Sequence, residues 1–357
     1  MRQSYRYLIN YCIFTLIGLF VVAKINQTID PANLFGGNEY VQGIVDTLAS
    51  GNNVANLDNY DDRQLQRVYI QKTKIRKDIL VFGSSRSWEI RAHHFPGQTF
   101  FNHHVAGASL EDYIAIYELY RQKNLLPSRI ILGLDPWILN QSNRQFRWKA
   151  LENEFYSFIE FVEFENYARE RFSNRTFTRR LVELFSIKYF KESIRTLLSG
   201  RTKYYSTSDP LPNDGGKLFD GSYVYNSKVR GRSLEEVESE AVAYTNSAYS
   251  LIGFNELDQN LIRLLKAFLK HLKGKHIGVT FYLPPYHPTT YKLLIESENY
   301  RIIHRVESFF IKLARDNKIS VMGSYNPAVS LCGKEDFYDG MHPKASCYDQ
   351  IFSASRH

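Results

Sequence analysis

The chain has 357 residues, of which 44% are hydrophobic and 15% aromatic, and its formal net charge is +8. Such a length and apolar content allow a sizeable core and exclude disorder on a large scale. The positive charge permits attraction to an anionic partner, although no dense Lys/Arg block marks a site. The sequence lacks the motifs of P-loop, dinucleotide and zinc sites, so we expect no cofactor, no metal ion and no nucleic acid partner.

The N-terminal segment has the composition of a membrane anchor. Residues 7–23 are uncharged and apolar, follow Arg2 and Arg6, and end at Lys24. A run of about 17 apolar residues is at the short end for a transmembrane helix. We therefore expect a single-pass anchor at 1–24, with the N-terminus cytoplasmic and the remaining chain outside, in the periplasm or the extracellular space. A cleaved signal peptide is the alternative and would release a soluble secreted protein, but the run is long for one and no A-x-A site follows.

The remaining chain predicts an α/β domain behind a polar lead-in. Residues 25–77 are rich in Asn and Asp and predict a stalk and lead-in, whereas strand and helix patterns alternate from residue 78 onward. This alternation predicts a three-layer α/β/α domain over 78–357, with an open parallel sheet of about five strands in flavodoxin-like order. The expected strands cover 79–83, 99–105, 129–135, 277–283 and 319–323. The expected helices cover 86–94, 109–123, 255–273 and 297–316, the third with Asn255 as its N-cap.

A mostly helical insertion at about 141–252 interrupts this alternation. It contains a loop rich in Gly, Asp, Ser and Tyr at 205–232, after which Ser233 and Glu236 predict a capping box. The insertion leaves the carboxyl end of the third strand, which is the edge where open α/β sheets bind ligands. It is either a lid or acceptor-binding surface, or a structural elaboration without substrate contact.

Four short motifs follow predicted strands. The first strand opens into Gly83-Ser84-Ser85 within DILVFGSSRSWE, and Gly107 follows the second. The third strand ends in Gly133-Leu134-Asp135-Pro136, and Asp339-Gly340-Met341-His342 follows the last. Each motif alone has an ordinary structural interpretation: the serines as helix caps, Gly107 as a turn glycine, and Asp339 with His342 as a loop hydrogen bond.

Together the motifs resemble those of the SGNH, or GDSL-like, hydrolase superfamily over residues 78–140 and 255–350. The single N-terminal membrane segment and the GSS block are more similar to its membrane-anchored outer-face acyl-transfer branch, which includes DltD and the alginate O-acetylation proteins. The resemblance implies that Ser85 is the nucleophile, that His342 is its general base, and that Asp339 orients the imidazole. It also implies that the backbone N–H groups of Ser85 and Gly107 stabilise the oxyanion.

Asp135 departs from the pattern of this superfamily, which has an Asn donor at that position. An ionised carboxylate cannot donate a hydrogen bond, and loss of one oxyanion donor costs about 10²–10³ in rate. The sequence leaves three possibilities open. Asp135 is protonated by burial, or it turns away to organise the loop at Pro136 and Trp137, or Arg86 supplies the missing positive charge.

The expected function is that of a serine acyl-esterase or O-acyltransferase acting on a cell-envelope or extracellular glycan or polymer. Trp137, Tyr286 and His287 follow strands at the same edge and form a possible substrate rim. The alternative is a catalytically inactive SGNH-like module that binds glycan or a membrane acyltransferase partner.

Cys332 and Cys347 flank the last motif and, if oxidised, would close a loop of about 15 residues.

Overall fold

The described part of the protein contains two β-sheets. The structure is a computed structural model, and it describes residues 2–30, 39–57, 60–143, 145–164, 182–199 and 204–353. The strands are β1 (Asn53–Ala55), β2 (Ile79–Phe82), β3 (Phe100–Asn102), β4 (Arg129–Gly133), β5 (Tyr205–Thr207), β6 (Gly216–Lys217), β7 (Tyr223–Val224), β8 (Gly278–Leu283) and β9 (Ser320–Gly323). The α-helices are α1 (Arg2–Ile29), α2 (Glu39–Ala49), α3 (Asp62–Lys72), α4 (Leu110–Gln122), α5 (Glu152–Phe161), α6 (Ile187–Ser199), α7 (Ser227–Arg230), α8 (Leu234–Tyr244), α9 (Gln259–Gly274), α10 (Pro288–Glu296), α11 (Ile302–Asn317) and α12 (Ala345–Ser353).

The central sheet has five parallel strands in the order β3-β2-β4-β8-β9. The first strand therefore has its successor on one side and the other three on the opposite side, which is the flavodoxin-like order expected from the sequence. Val81 in β2 lies opposite Asn102 on one side and Ile131 on the other. The five predicted strands are confirmed, with ends that differ by at most three residues.

Strands β2, β3 and β4 and most of β8 are buried on both faces of the sheet, whereas edge strand β9 is partly exposed. Leu80, Ile130 and Phe281 belong to one apolar cluster, and their neighbours Ile79 and Ile131 belong to another. Successive strand residues point to opposite faces, so a strand covered on both sides is a continuous apolar run rather than an alternating one. This explains why the short run at 79–82 predicts its strand correctly.

The predicted helix at 86–94 is wrong. The segment forms two short 3₁₀ turns, Ser85–Ser87 and Ala92–His94. The side-chain amide of Asn102 donates to the carbonyl oxygens of Ser87 and Ile90 at 2.8 and 2.9 Å. Those two carbonyls would have to accept helical N–H groups, so a tertiary contact replaces the helix.

Of the two predicted helix N-caps, one is confirmed and the other is wrong. The N-cap of α9 is Asp258, which accepts from the N–H of Leu261 at 2.8 Å, so the expected cap at Asn255 is wrong. The capping box of α8 is confirmed, because Ser233 and Glu236 exchange both hydrogen bonds.

A second sheet joins the lead-in to the insertion. It is antiparallel, with the order β5-β1-β6-β7. In it, Val54 of the lead-in lies opposite Ser206 and Lys217 of the insertion. The sequence analysis has no strands here, because segments of two or three residues carry no readable alternation. The described part of the insertion thus contains short strands as well as helices, and its residues 144, 165–181 and 200–203 lie outside the described residues.

Much of the segment expected as stalk and lead-in packs onto the domain. Ile44 and Leu65 lie in the larger apolar cluster. Arg63 in α3 forms a buried ion pair with Asp112 in α4, with Nη2 and Oδ2 2.9 Å apart. Residues 39–57 and 60–72 therefore belong to the folded body.

The N-terminal helix is long and apolar enough to span a membrane over Tyr5–Ile29. Its last turn is held by the insertion rather than standing free. The Asn26 amide donates to the carbonyl oxygens of Glu183, Leu184 and Ser186 at 3.0–3.2 Å, and the Tyr189 hydroxyl donates to Asp30 at 2.6 Å. The end of α1 is thereby fixed to α6.

A disulfide joins Cys332 to Cys347, 15 residues apart. It closes the loop that carries Asp339 and His342. The sequence left open whether these two cysteines pair, and in the structure they do. The remaining thiol, Cys12, is exposed on α1.

Removal of this disulfide should destabilise the domain. We expect Cys332→Ser combined with Cys347→Ser to lower the free energy of unfolding by about 3 kcal/mol, because the unfolded chain regains the entropy of a loop of this length. Urea unfolding of the full-length protein in detergent measures it, and Cys12→Ser is the matched control that should leave the midpoint unchanged. Equal midpoints for the double variant and the control would contradict the prediction.

Candidate active site

Ser85 lies at the carboxyl end of β2, on a turn that the sequence makes unusually tight. A Cβ atom on Gly83 or Gly133 would collide with the Ser87 hydroxyl, so the two strand ends approach closely only because both residues are glycine. Ser84 caps the turn by accepting from the N–H of Arg86 at 3.1 Å. Ser84 and Ser87 are buried, whereas Ser85 is partly exposed. Of these three serines, Ser85 is the one within reach of a ligand.

His342 lies on a narrow loop after β9. Phe337 and Pro343 form an antiparallel bridge at its base, and the N–H of Tyr338 donates to the His342 carbonyl at 3.0 Å. Inside the loop, one Asp339 carboxylate oxygen accepts from the N–H groups of Met341 and His342 at 2.8 and 3.0 Å. The Asp-Gly-Met-His sequence therefore folds around its own aspartate, which fixes the imidazole in place.

The serine turn and the histidine loop meet in a Ser-His-Asp arrangement. Ser85 Oγ lies 2.9 Å from His342 Nε2, although the residues are 257 positions apart. His342 Nδ1 lies 2.8 Å from Asp339 Oδ2. An ionised carboxylate only accepts, so Nδ1 carries the imidazole proton and Nε2 presents its lone pair to the serine hydroxyl. This is the geometry that general-base activation of a serine requires.

Asp339 stays ionised over a wide pH range. Burial alone would raise its pKa, but the neighbouring His342 and the hydrogen bonds from His342 and Met341 outweigh it and lower the pKa to about 2. The carboxylate is therefore available to stabilise an imidazolium when His342 accepts a proton.

Arg86, directly after Ser85, is fully buried beneath the site. Its guanidinium pairs with Asp135, with Nη1 and Oδ1 3.1 Å apart, and lies 3.9 Å from the centroid of the Tyr286 ring. It also donates to the Met341 carbonyl at 3.0 Å and to the Pro284 and Pro285 carbonyls at 2.6 and 2.9 Å. Burial alone would lower its pKa, but the nearby Tyr286 and Asp135 more than offset this, so the pKa is raised and Arg86 remains a cation. Arg86 therefore ties the serine turn, the end of β8 and the histidine loop together.

Asp135 is the ion-pair partner of this arginine. Burial raises its pKa above the ordinary value, and the charge of Arg86 opposes that rise. Its Oδ1 accepts from Arg86, while Oδ2 is buried without a hydrogen-bond partner among the described residues. The geometry adds an arrangement that the three possibilities raised by the sequence do not include: the Arg86 cation faces Asp135 and backbone carbonyls, so the two buried charges compensate each other.

Gly107 lies where its backbone requires glycine. It has φ of +55°, and a Cβ atom there would collide with the Arg147 guanidinium and the Tyr249 hydroxyl. The N–H groups of Ser85 and Gly107 meet no acceptor within the described residues, so both remain available to an oxyanion. Arg147 and Tyr249 belong to the insertion, and no sequence signal pointed to them.

Aromatic residues surround the imidazole. The Trp88 ring lies nearly parallel to that of His342 with centroids 6.1 Å apart, and the Tyr225 ring meets His342 edge-on at 6.1 Å. Trp88 follows Ser85 by three residues and could have been found from that proximity, whereas Tyr225 comes from the insertion. The insertion therefore reaches the site.

The three residues expected as a substrate rim are buried instead. Trp137, Tyr286 and His287 are 1%, 0% and 0% exposed. The Trp137 indole donates to the Ala108 carbonyl at 3.0 Å, and the His287 ring caps α10 by accepting from the N–H of Thr289 at 3.2 Å. They pack beneath the site and support it, so they form no open rim.

The chain belongs to a family described as a protein of unknown function (DUF1574), whose model matches residues 56–354. The matched range begins after α1 and includes both the serine turn and the histidine loop. No curated protein and no solved structure gives a match.

Arg86 and Asp135 should be energetically coupled. We expect Arg86→Met to lower the free energy of unfolding by about 3–5 kcal/mol, because it leaves the Asp135 carboxylate buried without its partner. Combining it with Asp135→Asn should cost less than the sum of the two single substitutions. Chemical denaturation of the four proteins measures the coupling, and additivity within about 0.5 kcal/mol would rule it out.

Asp339 should make stability depend on pH. Its pKa in the folded protein is about 2, below the ordinary 3.8, so its contribution is complete above about pH 4 and is lost as the pH falls through about 2. We expect Asp339→Asn to lower the free energy of unfolding by on the order of 2 kcal/mol near neutral pH, and the deficit to shrink towards pH 2. Urea unfolding across this range tests it. A deficit that stays constant with pH would show that the ionised carboxylate contributes nothing.

Proposed function

We propose that the protein is a serine acyl-esterase or O-acyltransferase of the SGNH type. The observation that carries this proposal is the 2.9 Å contact between Ser85 Oγ and His342 Nε2, with Asp339 behind the imidazole. The sheet order and the position of the serine turn at the carboxyl end of the first strand support the same assignment. We include in the proposal the three-layer α/β/α arrangement of that superfamily, because the central strands of the sheet are buried on both faces.

The geometry supports a two-step acyl transfer. Ser85 Oγ attacks the carbonyl carbon of an acyl ester while its proton passes to His342 Nε2, and the Ser85 and Gly107 N–H groups receive the developing oxyanion. The intermediate collapses to a Ser85 ester, and the leaving alkoxide takes the proton from His342. Water or an acceptor hydroxyl then gives its proton to His342 and attacks this ester. The new tetrahedral intermediate expels Ser85 Oγ, which takes the proton back from His342 Nε2, and an acid or a new ester is released.

Arg147 is the proposed substitute for the missing Asn donor. Its guanidinium lies against Gly107, and the Tyr249 hydroxyl lies 3.5 Å from its Nη2. Unlike Arg86, it is exposed and forms no ion pair within the described residues. A cation at this position would favour negative charge on the oxygen bound by Gly107.

The location that fits these features is outside the cytoplasmic membrane. A helix able to span a membrane precedes the domain, and the Cys332–Cys347 disulfide is typical of an oxidising compartment. The basic net charge suits an anionic envelope polymer. We propose a cell-envelope or extracellular glycan or polymer as the substrate, and a membrane acyltransferase as a possible partner.

A fluorophosphonate probe tests the nucleophile directly. The full-length protein in detergent should be labelled on Ser85, because the imidazole activates that hydroxyl, and Ser85→Ala should not be labelled. Ser87→Ala is the matched control: the Ser87 hydroxyl is buried without a partner among the described residues, and its loss should leave labelling intact. Folded wild-type protein that takes up no probe at Ser85 would overturn the proposal and favour the inactive binding module.

A further inference from the structure

Three metal-ligating side chains converge at the surface, away from the Ser-His-Asp arrangement. His93 and His94 follow each other on a 3₁₀ turn, and Asp349 lies on α12, more than 250 residues later in the chain. His93 Nε2 lies 2.9 Å and His94 Nε2 3.0 Å from the same oxygen, Asp349 Oδ1. The ligand atoms of all three residues lie within 4.8 Å of one another.

The turn conformation makes this convergence possible. Neighbouring side chains on a strand point to opposite faces, but on this turn the two rings are tilted by 42° with centroids 4.1 Å apart. His94 is buried against Phe95 and Phe352, which fixes its orientation. The Arg91 N–H donates to its Nδ1 at 2.9 Å, and the Arg91 carbonyl lies 3.1 Å from the same nitrogen, so the Arg91 backbone fixes the ring with Nε2 facing Asp349. Metal binding through Nε2 would place the imidazole proton on Nδ1, where the Arg91 carbonyl can accept it.

We propose that His93, His94 and Asp349 bind a divalent transition-metal ion, Zn²⁺ by the chemistry of the donors. Two imidazole nitrogens and one carboxylate oxygen are a common ligand set for zinc, with the fourth position left to water. Bonds of about 2.0–2.1 Å in a tetrahedral site hold ligand atoms a little over 3 Å apart, near the spacing already present. The side chains of His93 and Asp349 are 55% and 52% exposed, so an ion can enter from solvent. This inference replaces the expectation of no metal drawn from the sequence.

A bound ion would cross-link two segments of the chain that lie next to Ser85 and His342 in sequence. It would join the segment that follows the Ser85 turn to α12, which begins three residues after His342. The disulfide at Cys347 holds the same helix two residues before Asp349. A metal bound here adds a second cross-link to α12 and so stabilises the folded state by mass action.

Zinc titration tests the site independently of any acyl chemistry. The full-length protein, without a histidine tag, is stripped with a chelator in detergent and titrated with Zn²⁺ by calorimetry, with thermal unfolding measured with and without the ion. We expect one equivalent of Zn²⁺ to bind and to raise the melting temperature. His93→Ala and Asp349→Asn should each weaken binding by about tenfold or more and abolish the thermal shift.

The control is His304→Gln, which removes one exposed histidine elsewhere on the surface and should bind Zn²⁺ as the wild type does. Both test substitutions are at exposed side chains, and melting in the presence of chelator shows whether each variant is folded. Absence of stoichiometric binding, or equal affinity in His93→Ala and His304→Gln, would overturn the inference. Labelling at Ser85 would be unaffected by that result, so the two proposals fail separately.

Discussion

A buried guanidinium holds the candidate site together. Arg86 extends from the residue next to the nucleophile, and its N–H groups reach the Asp135 carboxylate and the carbonyls of Pro284, Pro285 and Met341. These acceptors lie on three separate segments, each following a different strand. A cation buried this deeply is tolerated only when its charge and donors are compensated, and the compensation here is the connection between the segments. The distance between Ser85 and His342 depends on that connection.

The strands and the two motifs of the candidate site could be predicted because their signals are local. The apolar run at 79–82 ends in glycine and serine, and the Asp-Gly-Met-His loop folds around its own aspartate, so each is determined by adjacent residues. What could not be predicted depends on partners distant in sequence. Asn102 replaces the expected helix after Ser85, and β1 pairs with strands more than 150 residues away. The ion pair of Arg86 with Asp135 could not be predicted for the same reason, because the two residues are 49 positions apart.

The insertion and the lead-in are bound to each other and to the site. They share the antiparallel sheet, and the insertion contributes Tyr225 beside His342 and Arg147 beside Gly107. The last turn of α1 is bonded to α6 of the same insertion. A change in the conformation of the insertion can therefore alter the surroundings of the His342 imidazole and the position of the C-terminal end of α1. This arrangement suits an enzyme that must present its nucleophile at a fixed position relative to a membrane, as the proposed function requires.

The proposed function requires that the hydroxyl of Ser85 and the imidazole of His342 act as one chemical unit. Trapping of the covalent intermediate tests it most directly: the full-length protein in detergent is mixed briefly with p-nitrophenyl acetate, quenched in acid, and its peptides are mapped by mass spectrometry. We predict an acetyl group on Ser85 in the wild type and its loss in His342→Ala. An unmodified Ser85 in the folded wild type, or equal acetylation of Ser85 in His342→Ala, would contradict the claim.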